Sequence, residues 1–151
     1  MNVYRISRSR YAEDLTGEGA RLFGGRWNSK NVPCIYASES RALALVEYSV
    51  NVNMHDIPRA LSLVTYEIDA KKVVEIDEEF LPGNWRNSPI PKQTQSFGSL
   101  LLSEKKYEIV RIPSVVIPEE FNFLINPSHH KGKIKIVSIT DFLYDIRLKK
   151  V

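Results

Sequence analysis

One cysteine, Cys34, is all the thiol chemistry in 151 residues, which excludes an internal disulfide and a thiolate metal cluster. Within Val-Pro-Cys-Ile-Tyr-Ala it reads as a buried strand thiol rather than a nucleophile. Long apolar runs are missing as well. The longest aliphatic stretch, Ala42 to Val46, falls far short of the roughly 20 residues that cross a bilayer, and no charged-then-apolar leader precedes it. A soluble, cytoplasmic protein without membrane contact is therefore expected. Charge of one sign is scarce: the net value is +3, too mild by itself to argue for nucleic acid. The stretch from Lys131 to Val151 is locally basic, with six Lys or Arg against two Asp, and an anionic small molecule suits that balance equally well. Neither a Gly-x-Gly-x-x-Gly dinucleotide fingerprint nor a phosphate-binding P-loop is present, and no repeat or long linker divides the chain. With 43% hydrophobic and 26% charged residues, what remains is an ordinary globular composition and one domain spanning 1–151.

The residue pattern predicts more strands than helices, not regularly interleaved. This favours an α+β fold with a mainly antiparallel, strongly curved sheet and a few helices. Strands are expected at residues 2–7, 34–37, 61–69, 73–76, 108–112 and 133–139. Helices are expected at about 40–50, capped by Ser38-Glu39-Ser40, and at 93–105, with Thr140-Asp141 capping a last short one that reaches Leu148. Residues 11–31 and 80–92 read as irregular, and Glu120 to Pro127 as a turn-prone unit. In the 40–50 helix, Ala42, Leu45, Val46 and Ser49 line one face, and Glu47 sits beside it, four residues after Leu43. A carboxylate on so apolar a helix is either paired or half-exposed at a cleft.

Four of the seven glycines fall between Gly17 and Gly25, followed at once by Arg26, Trp27 and Asn28. Glycines before an arginine let backbone approach a ligand and let a guanidinium fork reach into a cleft, where it matches phosphate or carboxylate. Arg26 is the best anion anchor, although a surface arginine stacked on Trp27 is the plainer reading of that pair alone. Tyr36 alone reads as a core residue and Glu47 alone as a solvated one.

Order and spacing together say more. Gly24-Gly25-Arg26-Trp27-Asn28, Tyr36 ten residues after the Arg and Ala-Leu-Val-Glu ending at Glu47 resemble the RES domain. So do Tyr4-Arg5-Ile6, Gly17-x-Gly19-Ala20, Ala37-Ser38-Glu39-Ser40, Ile112-Pro113-Ser114-Val115-Val116, Asn122 and Asn126-Pro127. The match runs from Tyr4 to about Leu148; it is less clear in the Trp85 to Pro91 loop and at Ser128-His129-His130.

The resemblance implies a toxin of a bacterial toxin–antitoxin pair, with an ADP-ribosyltransferase-like fold and NAD⁺ as substrate rather than cofactor. Its outcomes would be phosphorolysis with phosphate as co-substrate, hydrolysis, or ADP-ribosyl transfer to a protein. The implied partner is a helix-turn-helix antitoxin of Xre type, with homodimerisation a further expectation. The family's Arg, Tyr, Glu and Ser fall on Arg26, Tyr36, Glu47 and Ser114. On that reading Arg26 grips phosphate oxygens while Gly25 and its neighbours lend amides, and Tyr36 and Trp27 contact substrate. Glu47 offsets positive charge on the ribose, Ser114 orients a hydroxyl or the carboxamide, and Arg5 is a second anion contact. Because nicotinamide leaves a pyridinium as a neutral molecule, no general acid is required. No metal is expected, and His55, His129 and His130 need no role; His55 reads as a loop residue and the last two as a solvated or phosphate-attracting patch. Two other classes remain open. An RNA-binding or RNA-cleaving toxin would use the basic C-terminal third with Trp27, Trp85 and the tyrosines as stacking platform. A pure docking module would use the Gly-rich loop alone.

Overall fold

The computed structural model describes residues 1–103, 107–130 and 134–149. Seven strands form one sheet: β1 (Asn2–Arg8), β2 (Ile35–Ser38), β3 (Leu61–Glu67), β4 (Val73–Glu75), β5 (Ile109–Pro113), β6 (Phe121–Ile125) and β7 (Lys135–Phe142). Their order is β4-β5-β6-β2-β1-β3-β7, and every neighbouring pair is antiparallel except β4 with β5. The helices are α1 (Glu18–Phe23), α2 (Arg41–Asn51), α3 (Lys92–Ser103) and the single turn α4 (Pro127–His130). An α+β fold on a mainly antiparallel sheet is therefore what these residues build. No described helix is long and apolar enough to cross a membrane.

The central strands explain the sheet's stability. In β6, Phe123, Leu124 and Ile125 are all fully buried, as are Val110 and Ile112 in β5 and Ile35 in β2 to within 1%. Burying each such side chain contributes about 1.5–3 kcal/mol, so adjacent apolar residues mark strands covered on both faces. One face packs Val3, Val64, Tyr66, Ile35 and Phe123 into a core. On the other face, Tyr4 and Ile6 of β1 meet Ala44, Leu45 and Tyr48 of α2, and Trp27, Trp85 and Leu102 cover Val110 and Leu124.

Four expectations are corrected. The unit 120–127 is not a turn: its core is the interior strand β6, because the apolar Phe-x-Phe-Leu-Ile run outweighs the Asn and Pro around it. Thr140 and Asp141 do not cap a helix but extend β7 to Phe142, where they pair with Leu63 and Ser62, and among the described residues a 3₁₀ turn follows at Ile146–Lys149. Residues 11–31 contain α1, which the glycines around it concealed. In α2 the fully covered residues are Leu43 and Ala44, and Ala42 is exposed, a rotation of the expected face. The expected end of α3 at residues 104–105 and start of β7 at 133 lie outside the described residues, as do Lys131 and the side chain of His130.

Candidate active site

α2 begins where Ser40 accepts a hydrogen bond from the Leu43 amide at 3.0 Å, so the helix starts where the Ser38-Glu39-Ser40 signal placed it. Leu43 anchors it, and Glu47 lies one turn further along the same stripe. There the Glu47 Oε1 accepts two hydrogen bonds, from Ser114 Oγ at 2.6 Å and from Asn122 Nδ2 at 2.7 Å. Asn122 is itself oriented by Ser38 Oγ, which donates to its Oδ1 at 2.7 Å. Ser114 is oriented from behind, accepting the amides of Val116 at 3.0 Å and Ile117 at 3.1 Å. The β5–β6 hairpin makes this possible, since the Ser114 amide donates to Glu120 O across its neck and Ile112 lies opposite Asn122. Among the described residues, Oε2 of the half-buried Glu47 accepts no hydrogen bond, so a fixed carboxylate keeps one oxygen for something else.

Arg26 is brought toward this carboxylate by the loop after α1. Its Nη1 donates to Trp85 O at 2.8 Å and Asn87 O at 2.9 Å, and among the described residues its hydrogen bonds use that nitrogen alone. The remaining guanidinium donors keep the geometry of a fork for an anion. Burial pulls the Arg26 guanidinium below its ordinary value, and the charge of Glu47, followed by that of Tyr36, opposes the shift, so the three groups share one electrostatic neighbourhood. Tyr36 lies on the sheet face that carries Ser38, two residues on. Its hydroxyl donates to Asn28 Oδ1 at 2.5 Å and accepts the Trp27 amide at 3.1 Å. Desolvation by burial, the largest cause, holds the phenol well above its usual value.

Asn28 is the fully buried pin of this loop, donating from Nδ2 to Ala20 O at 2.7 Å and Val32 O at 2.9 Å. Gly25 is confined here: a Cβ on it would lie 2.8 Å from Tyr36 Oη and 2.9 Å from Asn28 Oδ1. Its amide donates to Asn28 O and its carbonyl accepts from Gln95 Nε2. The reading of Gly25 as a lender of amides to a ligand is therefore replaced by one in which its smallness lets Tyr36 and Asn28 meet.

Further assignments change. Trp27 is 4% exposed, its ring tilted against Trp85 at a centroid distance of 5.8 Å and edge-on to Phe97 at 6.3 Å, so its side chain is core and only its amide serves the site, through Tyr36. With Trp85 equally buried, the stacking platform of an RNA-binding reading loses both tryptophans. Ser114 is 0% exposed, which directs its hydroxyl to Glu47 rather than to a ligand. Arg5 lies on the other face of the sheet from α2, opposite Val64 and with its charge acting on Tyr66, although that charge still reaches Tyr36 and Cys34. The β1 cation on the α2 side is Arg8, three residues later on the alternate face. His129 is half-buried on α4 with a buried Nε2 instead of solvated, whereas His55 lies in an exposed turn as expected. Cys34 is 1% exposed, and burial pushes its thiol up to about 12.

Sequence reasoning missed Ser38 and Asn122 as members of the site. Both fall within the family motifs, but with no role attached, and as polar residues inside otherwise apolar strands they become informative once the register sets Ser38 against Asn122. Among the described residues no group of His, Cys, Asp and Glu is arranged to hold a metal ion.

Comparison with known proteins gives the chain's relatives. A protein named Prs ADP-ribosylating toxin, from Sphingobium sp. (strain YBL2), is 39% identical over 147 residues, covering 94% of this chain and 91% of that protein. A protein named Toxin Res, from Yersinia enterocolitica serotype O:8 / biotype 1B, is 34% identical over 152 residues, covering 99% of this chain and 100% of its own. The toxin–antitoxin complex MbcT–MbcA of M. tuberculosis contains a chain that superposes with a TM-score of 0.74 at 19% identity, over 93% of this chain and 83% of that one, a likeness of fold. The family model described as the RES domain matches residues 2–146, and the chain belongs to the RES domain family.

Proposed function

We propose that this chain is the toxin of a toxin–antitoxin pair and that it breaks the nicotinamide–ribose bond of NAD⁺. The observation that carries the reading is the Glu47 carboxylate, one oxygen fixed by Ser114 and Asn122 and the other open, within the electrostatic reach of Arg26. In the reaction the bond from the ribose anomeric carbon to the pyridinium nitrogen breaks, and its electron pair goes to nitrogen. Nicotinamide leaves neutral, with no proton required. Positive charge develops on the sugar, and a preorganised anion beside it lowers the barrier because it needs no reorganisation at that moment. Arg26 would hold the diphosphate through its free donors. Tyr36, with its hydroxyl occupied by Asn28, would offer ring surface to the cationic pyridinium, an attraction of up to about 2 kcal/mol when desolvated. Ser114 and Asn122 act through Glu47 as positioning residues.

Water would then give ADP-ribose, phosphate its 1″-phosphate, and a protein side chain an ADP-ribosylated product, each acceptor losing a proton to solvent. Depletion of NAD⁺ by the first two routes is the main reading. Protein modification is the second, favoured by the 39% identity to a relative named for ADP-ribosylation. An Xre-type antitoxin and a homodimer belong to the same proposal.

The test incubates purified protein with NAD⁺, with and without phosphate, and identifies products by mass. Glu47→Gln keeps the shape of the side chain but removes its charge, and should cost about 10²- to 10³-fold in kcat, as loss of one electrostatic stabiliser does. Wild-type turnover by the variant, or no cleavage of NAD⁺ by the parent with any acceptor, overturns the proposal.

A further inference from the structure

The Glu47 and Arg26 region accounts for the reacting half of a dinucleotide and leaves its adenosine end without a place. A cavity of about 520 Å³ is built on the same helix and loop as those two residues, walled by Arg8 at the end of β1, Phe23 at the end of α1, Tyr48 and Asn51 on α2, and Asp56 just beyond it. Its size is within the range of about 300–1,000 Å³ typical of ligand pockets. We propose that this cavity binds the adenosine end of the substrate, an inference that rests on the NAD⁺ reading above.

The placement follows from chain geometry. Asn51 is four residues after Glu47 on the same stripe of α2, about 6 Å along the helix, and its Nδ2 donates to Glu47 O at 2.8 Å. Phe23 is three residues before Arg26, so the loop that carries the anion anchor also carries a wall of the cavity. The two walls thus begin where the carboxylate and the guanidinium leave off.

The lining has the chemistry of a nucleoside site. Phe23 is 79% exposed, an aromatic face in water at the rim of the cavity, and a purine stacked on it would cover that face. Tyr48 stands edge-on to Tyr144 at a centroid distance of 5.9 Å, so the facing wall is already fixed. The Asp56 carboxylate, which receives Asn53 Nδ2 at 3.3 Å, can accept hydrogen bonds from a ribose diol. Arg8 is the cation for the phosphate on the adenosine side, its charge close enough to oppose the upward shift that burial imposes on Tyr48.

Phe23 suits the test because its exposure makes substitution structurally neutral. In the full chain, Phe23→Ala should raise KM for NAD⁺ by about tenfold and leave kcat in place. It should weaken competitive inhibition by adenosine 5′-monophosphate by the same factor and leave inhibition by nicotinamide unchanged. Unchanged KM and adenosine 5′-monophosphate inhibition overturn the assignment, as does an equal weakening of nicotinamide. If the parent fails to turn over NAD⁺, direct titration with adenosine 5′-monophosphate still decides the cavity: binding lost in Phe23→Ala supports it, and no binding to the parent overturns it.

Discussion

Asn122 offers the sharpest test of how the carboxylate is held. In Asn122→Ala the 2.7 Å hydrogen bond to Glu47 Oε1 disappears, and Ser38 Oγ loses its acceptor at a position only 3% exposed. A hydrogen bond to a charged group contributes about 1.5–3 kcal/mol. If that energy serves to fix Glu47 against the developing sugar cation, its loss corresponds to about 10- to 100-fold in kcat, with KM little changed. The orphaned Ser38 hydroxyl adds about 1–3 kcal/mol to the cost in stability, so urea denaturation must accompany the kinetics and both must be read at a temperature where the variant is folded. Asn122→Asp separates positioning from packing. It keeps the shape but sets a second carboxylate against Glu47 at the distance of a hydrogen bond, where two like charges resist being ionised together. The acid limb of the kcat–pH profile should move to higher pH, an effect that a residue serving only to fill space would not produce. The assay is NAD⁺ loss with product identification across pH. A folded Asn122→Ala with the parent's kcat, or an Asn122→Asp whose acid limb stays in place, refutes the positioning argument.

Two other substitutions probe the frame around the site. Gly98 of α3 packs on the Trp27 backbone so closely that a Cβ would lie 2.0 Å from Trp27 O, so Gly98→Ala must push α3 off the Arg26 loop. A loss of about 1–3 kcal/mol, read as a lower urea midpoint, is expected, and an unchanged midpoint shows that the contact is not tight. Tyr36 titrates well above 10 because it is buried, so its contribution to stability is complete below the unfolded value near 10 and declines as pH rises past it toward the folded value. Tyr36→Phe should be less stable than the parent at pH 7, with Asn28 Oδ1 unpaired, and the gap between the two should narrow above pH 10. A gap constant with pH means that the hydroxyl is not buried as described.

Much of this architecture is legible in local pattern, and where it is not the reason is the sheet. The α2 cap, the strands at β1, β3 and β5, and the irregular 80–92 loop follow from residue preferences over a few positions, which are the same in the folded chain as in the sequence. β6 was hidden because Asn122 and Pro127 carry turn signals, and the sheet overrides them: with β5 on one side and β2 on the other, a strand interior is the only place where Phe123, Leu124 and Ile125 are covered at once. Thr140 and Asp141 read as a cap for the complementary reason, since their β pairing is with β3, about 75 residues earlier, and no local window contains it.

The site divides along the same line. Arg26, Tyr36 and Glu47 could be picked out as an ordered series because each lies on or beside a different short element whose spacing fixes it. What each does could not, because their partners are set by register. Ser114, proposed as a ligand contact, and Trp27, proposed as another, are both enclosed, and enclosure turns both from contacts into supports. Asn122 gains its place from being opposite Ser38 in β2 and Ile112 in β5 at the same time. A carboxylate held from two sides by a serine after one strand and an asparagine within the next needs the β5–β6 hairpin in register. A one-residue slip would turn Asn122 to the opposite face and leave Glu47 with Ser114 alone. The proposed chemistry of Glu47 is therefore a property of strand pairing as much as of the residue itself, and variants that loosen the hairpin neck at Ser114 and Glu120 should impair turnover before they impair folding.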